Sequence, residues 1–218
     1  MKFFFEIAPL RQVVNSPLYT QHPSFIPGKG SASALINIRL PYYPEAEILL
    51  QKFITDINCF HHVVHVPSLR ATMENLYIRL NDHGQVSPGH VILLLSIIAS
   101  STYFWTDNDC AGGILCTTAE ADRQSSLWTK AAQDLVDACH RSMCLSLEAV
   151  QGIVVILFVI GNMEGCSYRY RFLVNLALMM SRELGLHRID HPDNAGSFNT
   201  IEAEVGRRIW WYLVSSDW

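Results

Sequence analysis

Apolar residues recur three and four positions apart through most of the chain after residue 44, which is typical of amphipathic α-helices. Leu49, Phe53 and Ile57 follow this spacing behind Pro44 and two acidic residues, and predict a first helix over residues 44–58. The same reasoning predicts further helices over residues 68–80, from 88, over 120–142, 146–160 and 171–184, and from 201. We find no convincing alternating strand and no internal repeat. The predicted class is therefore all-α, an irregular multi-helix domain.

The first forty residues have a different character. Five of the nine prolines fall at or before Pro41, together with Gly28, Gly30 and a Ser/Ala run. This composition is typical of loops and linkers. We expect an irregular N-terminal linker over residues 1–40 and a helical domain over residues 41–218.

Two segments are apolar enough to raise the question of a membrane. Residues 91–99 and 150–160 are almost wholly apolar, but both are shorter than the roughly 20 residues that a spanning helix needs. Buried core helices explain them better. The alternative that stays open is a membrane-associated or lipid-binding helical protein built on these two segments.

Charge and cysteine content reduce the number of protein classes to which the chain can belong. The chain carries 16 basic and 20 acidic residues, a net charge of -4, which argues against a broad nucleic-acid footprint. Its six cysteines contain no Cys-x-x-Cys pair, so their spacing does not match the usual zinc ligand patterns. We interpret them as reduced, mostly buried thiols of an intracellular protein.

The closing segment combines large aromatic residues with charges. If it is helical, one third of its circumference carries Arg207, Trp210, Trp211, Val214 and Asp217. An aspartate could neutralise the guanidinium there, and Glu204 and Arg208 have the favourable i,i+4 order. We expect this face to organise a core edge or a domain interface. Replacing either tryptophan with alanine would then cost about 3–5 kcal/mol if its ring is buried.

The sequence offers only weak candidates for catalytic or metal-binding residues. His61 and His65 share i,i+4 spacing, but His62 stands where a zinc protease has its glutamate, so His65 reads better as a loop histidine beside Pro67. A loop at the carbonyl end of a helix explains the cluster of His187, Asp190, His191 and Asp193 better than a metal site does. The Gly28-Lys-Gly30 stretch lacks the residues of a phosphate-binding loop. No nucleophile motif appears, and we expect no enzyme activity, no catalytic residue, no metal ligand and no cofactor.

Four motifs in order carry a family resemblance. They are His65-Val-Pro67-Ser68, Ser146-Leu-Glu-Ala-Val-Gln151, Ala177-Leu-Met-Met-Ser-Arg-Glu-Leu-Gly-Leu-His-Arg-Ile-Asp190, and Glu204-x-x-Arg207-Arg208-Ile-Trp210-Trp211 followed by Asp217. Together they resemble the fungal-specific transcription factor domain, the middle homology region of fungal binuclear zinc cluster regulators, over about residues 41–218. The residues that carry the family motif, and that we expect to be structural or regulatory, are Gly185, Leu186, His187, Arg188, Arg207, Arg208, Trp210, Trp211 and Asp217.

The resemblance implies a nuclear regulator of RNA polymerase II transcription. Its implied partners are transcription machinery or regulatory proteins, with a small-molecule effector and a homodimer as further alternatives. The family's six-cysteine zinc cluster does not appear in this sequence, so we expect DNA contact only through a module absent here. Gly206 replaces a common third arginine, Trp218 replaces a common arginine, and the sequence stops inside a helix that the family continues. We therefore expect a truncated gene model or a regulator fragment.

Overall fold

The computed structural model describes residues 2–10, 21–22, 35–111, 113–193 and 199–217. Within these ranges, nine α-helices follow and pack beside a small sheet, which agrees with the all-α class. The helices are α1 Tyr43–Lys52, α2 Asn58–His61, α3 Val66–Asn81, α4 Pro88–Tyr103, α5 Asp107–Cys110, α6 Thr118–Arg141, α7 Leu147–Glu164, α8 Tyr168–Glu183 and α9 Ile201–Ser216. A π-helical turn, Phe53–Ile57, joins α1 to α2, and a 3₁₀ turn, Leu186–Arg188, follows α8.

The helix starts follow ordinary capping chemistry. The hydroxyl of Ser146 accepts a hydrogen bond from the backbone N–H of Ala149, so α7 begins where the sequence predicts. The start of α3 differs from the prediction, because His65, rather than Ser68, is the N-cap. Its Nδ1 accepts from the Ser68 backbone N–H at 3.4 Å. Pro67 is thus tolerated in the first turn, where its missing N–H costs nothing.

The core is built around α4, which makes its most extensive contacts with α7 and α6. Both α4 and α7 are buried around most of their circumference, as their nearly continuous apolar sequence predicts. Of the described helices, α7 alone is long and apolar enough to cross a membrane, but 61% of its apolar window is buried inside the protein. Its burial between α4 and α8 gives that apolar surface a partner within the fold.

Strands occupy part of the N-terminal region in which we found none in the sequence. They are β1 Lys2–Ile7, β2 Gln21–His22 and β3 Leu35–Leu40, in the order β1-β3-β2. The first and third pair in parallel, with Lys2 opposite Leu35. The Leu10 N–H donates to the Glu45 carboxylate at 2.9 Å, which attaches the sheet region to α1. The remaining linker residues lie outside the described ranges, and the boundary at residue 41 stays a prediction.

The cysteines are placed differently from the prediction. None of the six described cysteines is in a disulfide, but only Cys139 is buried, whereas Cys59, Cys116, Cys144 and Cys166 are exposed. Burial raises the pKa of the Cys139 thiol to about 12, so this residue behaves as a small apolar side chain. The expectation of mostly buried thiols was wrong because four of them lie at helix ends and in connecting turns, where no helical periodicity specifies burial.

Backbones meet where α4 crosses α7. A Cβ added to Gly152 would lie 2.7 Å from Ile92 Cγ2 and 3.0 Å from the backbone nitrogen of Leu93. Near the start of the same helix pair, a Cβ on Gly89 would lie 2.0 Å from the Ser146 hydroxyl oxygen. Glycine therefore permits an approach at these points that leaves no room for a side chain.

Replacing Gly152 with alanine is expected to lower the free energy of unfolding by about 1–3 kcal/mol, because two of the nearest atoms are backbone atoms, which cannot move aside. Gly206→Ala is the matched control. Its added Cβ would meet the terminal Cδ1 of Ile189 at 2.6 Å, and that methyl group can rotate away. Urea denaturation followed by circular dichroism measures the free energy of unfolding of both variants. A larger loss for Gly206→Ala than for Gly152→Ala would contradict the close helix crossing.

Candidate functional site

The two most specific sequence motifs meet on one side of the protein, where the turn after α8 packs against α9. Gly185 follows the end of α8 in the left-handed region with φ 75°, and the 3₁₀ turn Leu186–Arg188 comes next. A Cβ on Gly206 would lie 3.2 Å from Leu186 Cδ2 and 2.6 Å from Ile189 Cδ1. Gly206 is thus the point at which α9 approaches the turn, and a third arginine there would need this contact to open.

Ion pairs and rings connect the two motifs. Arg207 Nε donates to Asp190 Oδ1 at 2.8 Å, and Arg207 Nη1 donates to Glu204 Oε2 at 3.2 Å. The partner that lies against the guanidinium is therefore Asp190 of the preceding loop, whereas the shared face had suggested Asp217. The ring centroids of His187 and Trp210 are 5.7 Å apart.

Arg208 attaches α9 to a second part of the fold. Its Nε donates to Glu204 Oε1 at 2.8 Å, which confirms the predicted i,i+4 pair, and its Nη1 donates to the carbonyl oxygen of His62 at 3.2 Å. Arg208, followed by Arg207, lowers the pKa of the Glu204 carboxyl, and Asp190 raises the pKa of Arg207. The carboxylate of Glu204 and the guanidinium of Arg207 therefore stay ionised at neutral pH.

The tryptophan rings are not buried as expected. Trp211 is 66% exposed and Trp210 is half-buried. The side of α9 that faces the core carries small and aliphatic residues, Ala203, Val205, Gly206, Ile209 and Leu213. Trp211 lies about 200° around the helix from Ile209, so both cannot face inward. The predicted grouping of Arg207, Trp210 and Trp211 on one face was sound. That face lies at the edge of the core, where Trp210 packs against the core and Trp211 points outward.

A groove of about 290 Å³ lies on this outward face. We call it the α9 groove, and its described lining comprises Leu186, His187, Arg188, Ile189, Asp190, His191, Arg207, Trp210 and Trp211. It therefore contains six of the nine family-motif residues. Gly185 stands beside it in the turn, Arg208 projects toward His62, and Asp217 is the exposed C-cap of α9.

Sequence reasoning missed a buried histidine on the inner side of α9. His61 is 7% exposed, with its ring centroid 4.6 Å from that of Phe158 and 5.6 Å from that of Tyr212. Neither ring nitrogen has a hydrogen-bond partner. Burial, with a smaller contribution from His62, lowers the pKa of His61 to about 4. The apolar residues around it were the available signal, but the sequence argument considered His61 only as part of a weak metal pattern with His65, which it rejected.

The histidine and cysteine side chains that the structure describes do not gather into a metal centre. His65 caps α3, His61 is enclosed by aromatic rings, and the imidazole of His191 lies 3.2 Å from Asp193 Oδ2. Among the residues that the structure describes, no three His, Cys, Asp or Glu side chains converge on one point. The six cysteines, dispersed over separate elements, likewise do not fit the zinc cluster that the resemblance implies.

Comparison with known proteins identifies relatives of this chain. The family model for the fungal specific transcription factor domain matches residues 50–217. The chain is 37% identical over 85% of its length to a probable transcription factor, lepB, of Aspergillus flavus. It is 30% identical over 82% to the agnestins biosynthesis cluster transcription factor AgnL11 of Paecilomyces divaricatus, and 28% identical over 80% to transcription factor TAS2 of Pyricularia oryzae.

These alignments cover 34%, 26% and 23% of the three relatives, so the chain corresponds to about a third or less of their length. No solved structure matches. The family match extends from the last turn of α1 to the C-cap of α9 and includes both motifs of the α9 groove. The chain belongs to the fungal specific transcription factor domain family.

Proposed function

We propose that the chain acts as a regulatory domain in a nuclear regulator of RNA polymerase II transcription, and that it acts through protein contacts at the α9 groove. The relatives bear the names of transcription factors, which favours a regulator over an enzyme and over a lipid-binding protein. Because the chain matches only part of each relative, DNA contact is assigned to a module outside the matched region.

The observation that carries the proposal is the exposure of Trp211 beside anchored arginines. An exposed tryptophan next to arginine is typical of residues that contribute most of the binding energy at protein interfaces. Arg207 is held by Asp190 and Glu204, so its position is set before any partner arrives. A preorganised contact of this kind loses less entropy on binding.

A reporter assay tests the proposal. The chain is fused to a heterologous DNA-binding module in a fungal strain that carries the matching reporter gene, with a fluorescent tag for localisation. We expect a nuclear signal and reporter transcription that differs from that of the module alone. Trp211→Ala is expected to remove most of this difference while leaving the fold intact, because the ring is mainly exposed.

Tyr168→Ala is the matched control, since Tyr168 is 79% exposed and belongs to α8, away from the groove. It should leave the reporter unchanged. An unaltered reporter with the wild-type fusion, or equal losses for Tyr168→Ala and Trp211→Ala, would overturn the proposal. If sedimentation shows a dimer that Trp211→Ala dissociates, the partner at the groove is a second copy of the chain.

A further inference from the structure

The end of α6 brings two of the six cysteines together. Cys139 lies in the last turn of the helix, and Cys144 lies in the connection that leads to α7. The backbone N–H of Cys144 donates to the carbonyl oxygen of Cys139 at 3.0 Å, and that of Met143 donates to the carbonyl oxygen of His140 at 3.2 Å. Met143 has a left-handed backbone with φ 54°. This combination is the Schellman motif, which ends many helices.

The hydrogen bond between the two cysteines limits the distance between their α-carbons. Each α-carbon is one or two covalent bonds away from the nitrogen or the oxygen of the hydrogen bond, so a straight alignment would separate the α-carbons by about 7 Å at most. The bonds of a tight turn are bent, and the separation is therefore shorter. Disulfide-bonded cysteines have α-carbons about 4.4–6.8 Å apart. The backbone at the end of α6 thus holds Cys139 and Cys144 at a disulfide-forming distance.

The two side chains are neighbours as well. The residues at these two positions of a Schellman motif frequently touch. Burial, followed by the nearby Cys144, raises the pKa of the Cys139 thiol, so the two sulfur atoms are close enough to interact. Cys139 is 1% exposed, whereas Cys144 is exposed. A dissolved oxidant therefore reaches Cys144 first, and Cys139 is the thiol beside it.

We infer that Cys139 and Cys144 form a redox modification site, at which hydrogen peroxide converts the two thiols into a reversible disulfide. The Cys144 sulfur attacks one peroxide oxygen, the O–O bond breaks, and the departing hydroxide takes the thiol proton to form water, which leaves a sulfenic acid on Cys144. The Cys139 sulfur then attacks the Cys144 sulfur, the S–O bond breaks, and the released hydroxide takes the Cys139 proton to form a second water. Two thiols are oxidised, and one peroxide molecule is reduced to two waters.

The disulfide joins the last turn of α6 covalently to the connection that positions Ser146, the N-cap of α7. Where low-molecular-weight thiols are abundant, such disulfides are transient and redox-sensing, because exchange with those thiols reduces them. The oxidised form is therefore a temporary state that follows the peroxide concentration. Its formation does not involve the α9 groove and does not depend on the proposed function.

Peptide mapping of the purified full chain tests the site. The reduced protein is treated with increasing concentrations of hydrogen peroxide, denatured in the presence of N-ethylmaleimide to block the remaining thiols, and digested with trypsin. Trypsin cleaves after Arg141, between the two cysteines, and so separates them into fragments 131–141 and 142–169. We expect the disulfide to hold these fragments together, with a combined mass lower by two hydrogen atoms. Dithiothreitol should release them.

Cys166 lies in the same fragment as Cys144 and is also exposed, so Cys166→Ser is the matched control and should retain the link. Cys144→Ser should abolish it. The inference is overturned by loss of the link in Cys166→Ser, by a link that a non-reducing gel shows only between two chains, or by absence of the link at a peroxide concentration that oxidises Cys166. A silent reporter would refute the proposed function and leave the disulfide unaffected, whereas absence of the link would refute the disulfide alone.

Discussion

Replacing Trp128 with alanine is expected to lower the free energy of unfolding by about 3–5 kcal/mol, whereas Trp211→Ala should change it by no more than about 0.5 kcal/mol. Trp128 lies on α6, is 0% exposed, and donates its indole N–H to Gln124 Oε1 at 2.8 Å. Its removal leaves a large cavity and an unpaired buried carbonyl. The indole of Trp211 is mainly in water and loses little on truncation.

Urea denaturation of the two variants measures this contrast. Trp128→Phe helps to separate the two contributions, because it keeps most of the apolar volume while it removes the hydrogen bond to Gln124. Its loss should lie between those of the other two variants. A loss for Trp211→Ala as large as that for Trp128→Ala would mean that the outward face of α9 is in fact part of the core.

The stability of the protein is expected to fall by about 3 kcal/mol between pH 6.5 and pH 4 through His61 alone. The pKa of this histidine drops from 6.5 in the unfolded chain to about 4 in the folded protein, because burial disfavours the imidazolium and His62 lies nearby. The unfolded chain therefore binds the proton first as the pH falls. Above pH 6.5 His61 is neutral in both states and leaves the free energy of unfolding unchanged. Between pH 6.5 and pH 4 the free energy of unfolding falls progressively.

His61→Phe isolates this effect, since phenylalanine keeps the edge-on packing against Phe158 and cannot titrate. At pH 7 the variant should be as stable as the wild type or more stable, because two unpartnered nitrogens are removed. Denaturation at a series of pH values should show the difference between the two proteins widening by about 3 kcal/mol toward pH 4. Groups such as Glu148, which titrate in both proteins, cancel in that difference. Parallel profiles would contradict the burial of His61.

Helix ends and local pairs were predictable from the sequence because each depends on residues close together in the chain. The Ser146 cap, the left-handed Gly185 and the Glu204–Arg208 pair all follow from spacings of four or fewer residues. The parallel pairing of β1 with β3 joins residues 33 positions apart, through a region whose composition suggested only loops. No local pattern specifies such a partner.

In the candidate site, too, local sequence patterns do not specify which groups pack together, even within the single helix α9. Periodicity placed Arg207, Trp210 and Trp211 on a common face, but it could not determine whether that face meets the core, because α9 offers apolar residues on both sides. Tryptophan is usually well buried, and that average misled the prediction. Asp190 as the partner of Arg207, and the aromatic surroundings of His61, depend on how separate elements pack. The role of the nine motif residues stays a prediction.

The crossing at Gly152 and Gly89 also restricts where this domain can move. Two helices whose backbones touch cannot slide along each other without first separating, so shear between α4 and α7 is blocked. The two helices therefore behave as one rigid unit, against which α6 and α8 also pack.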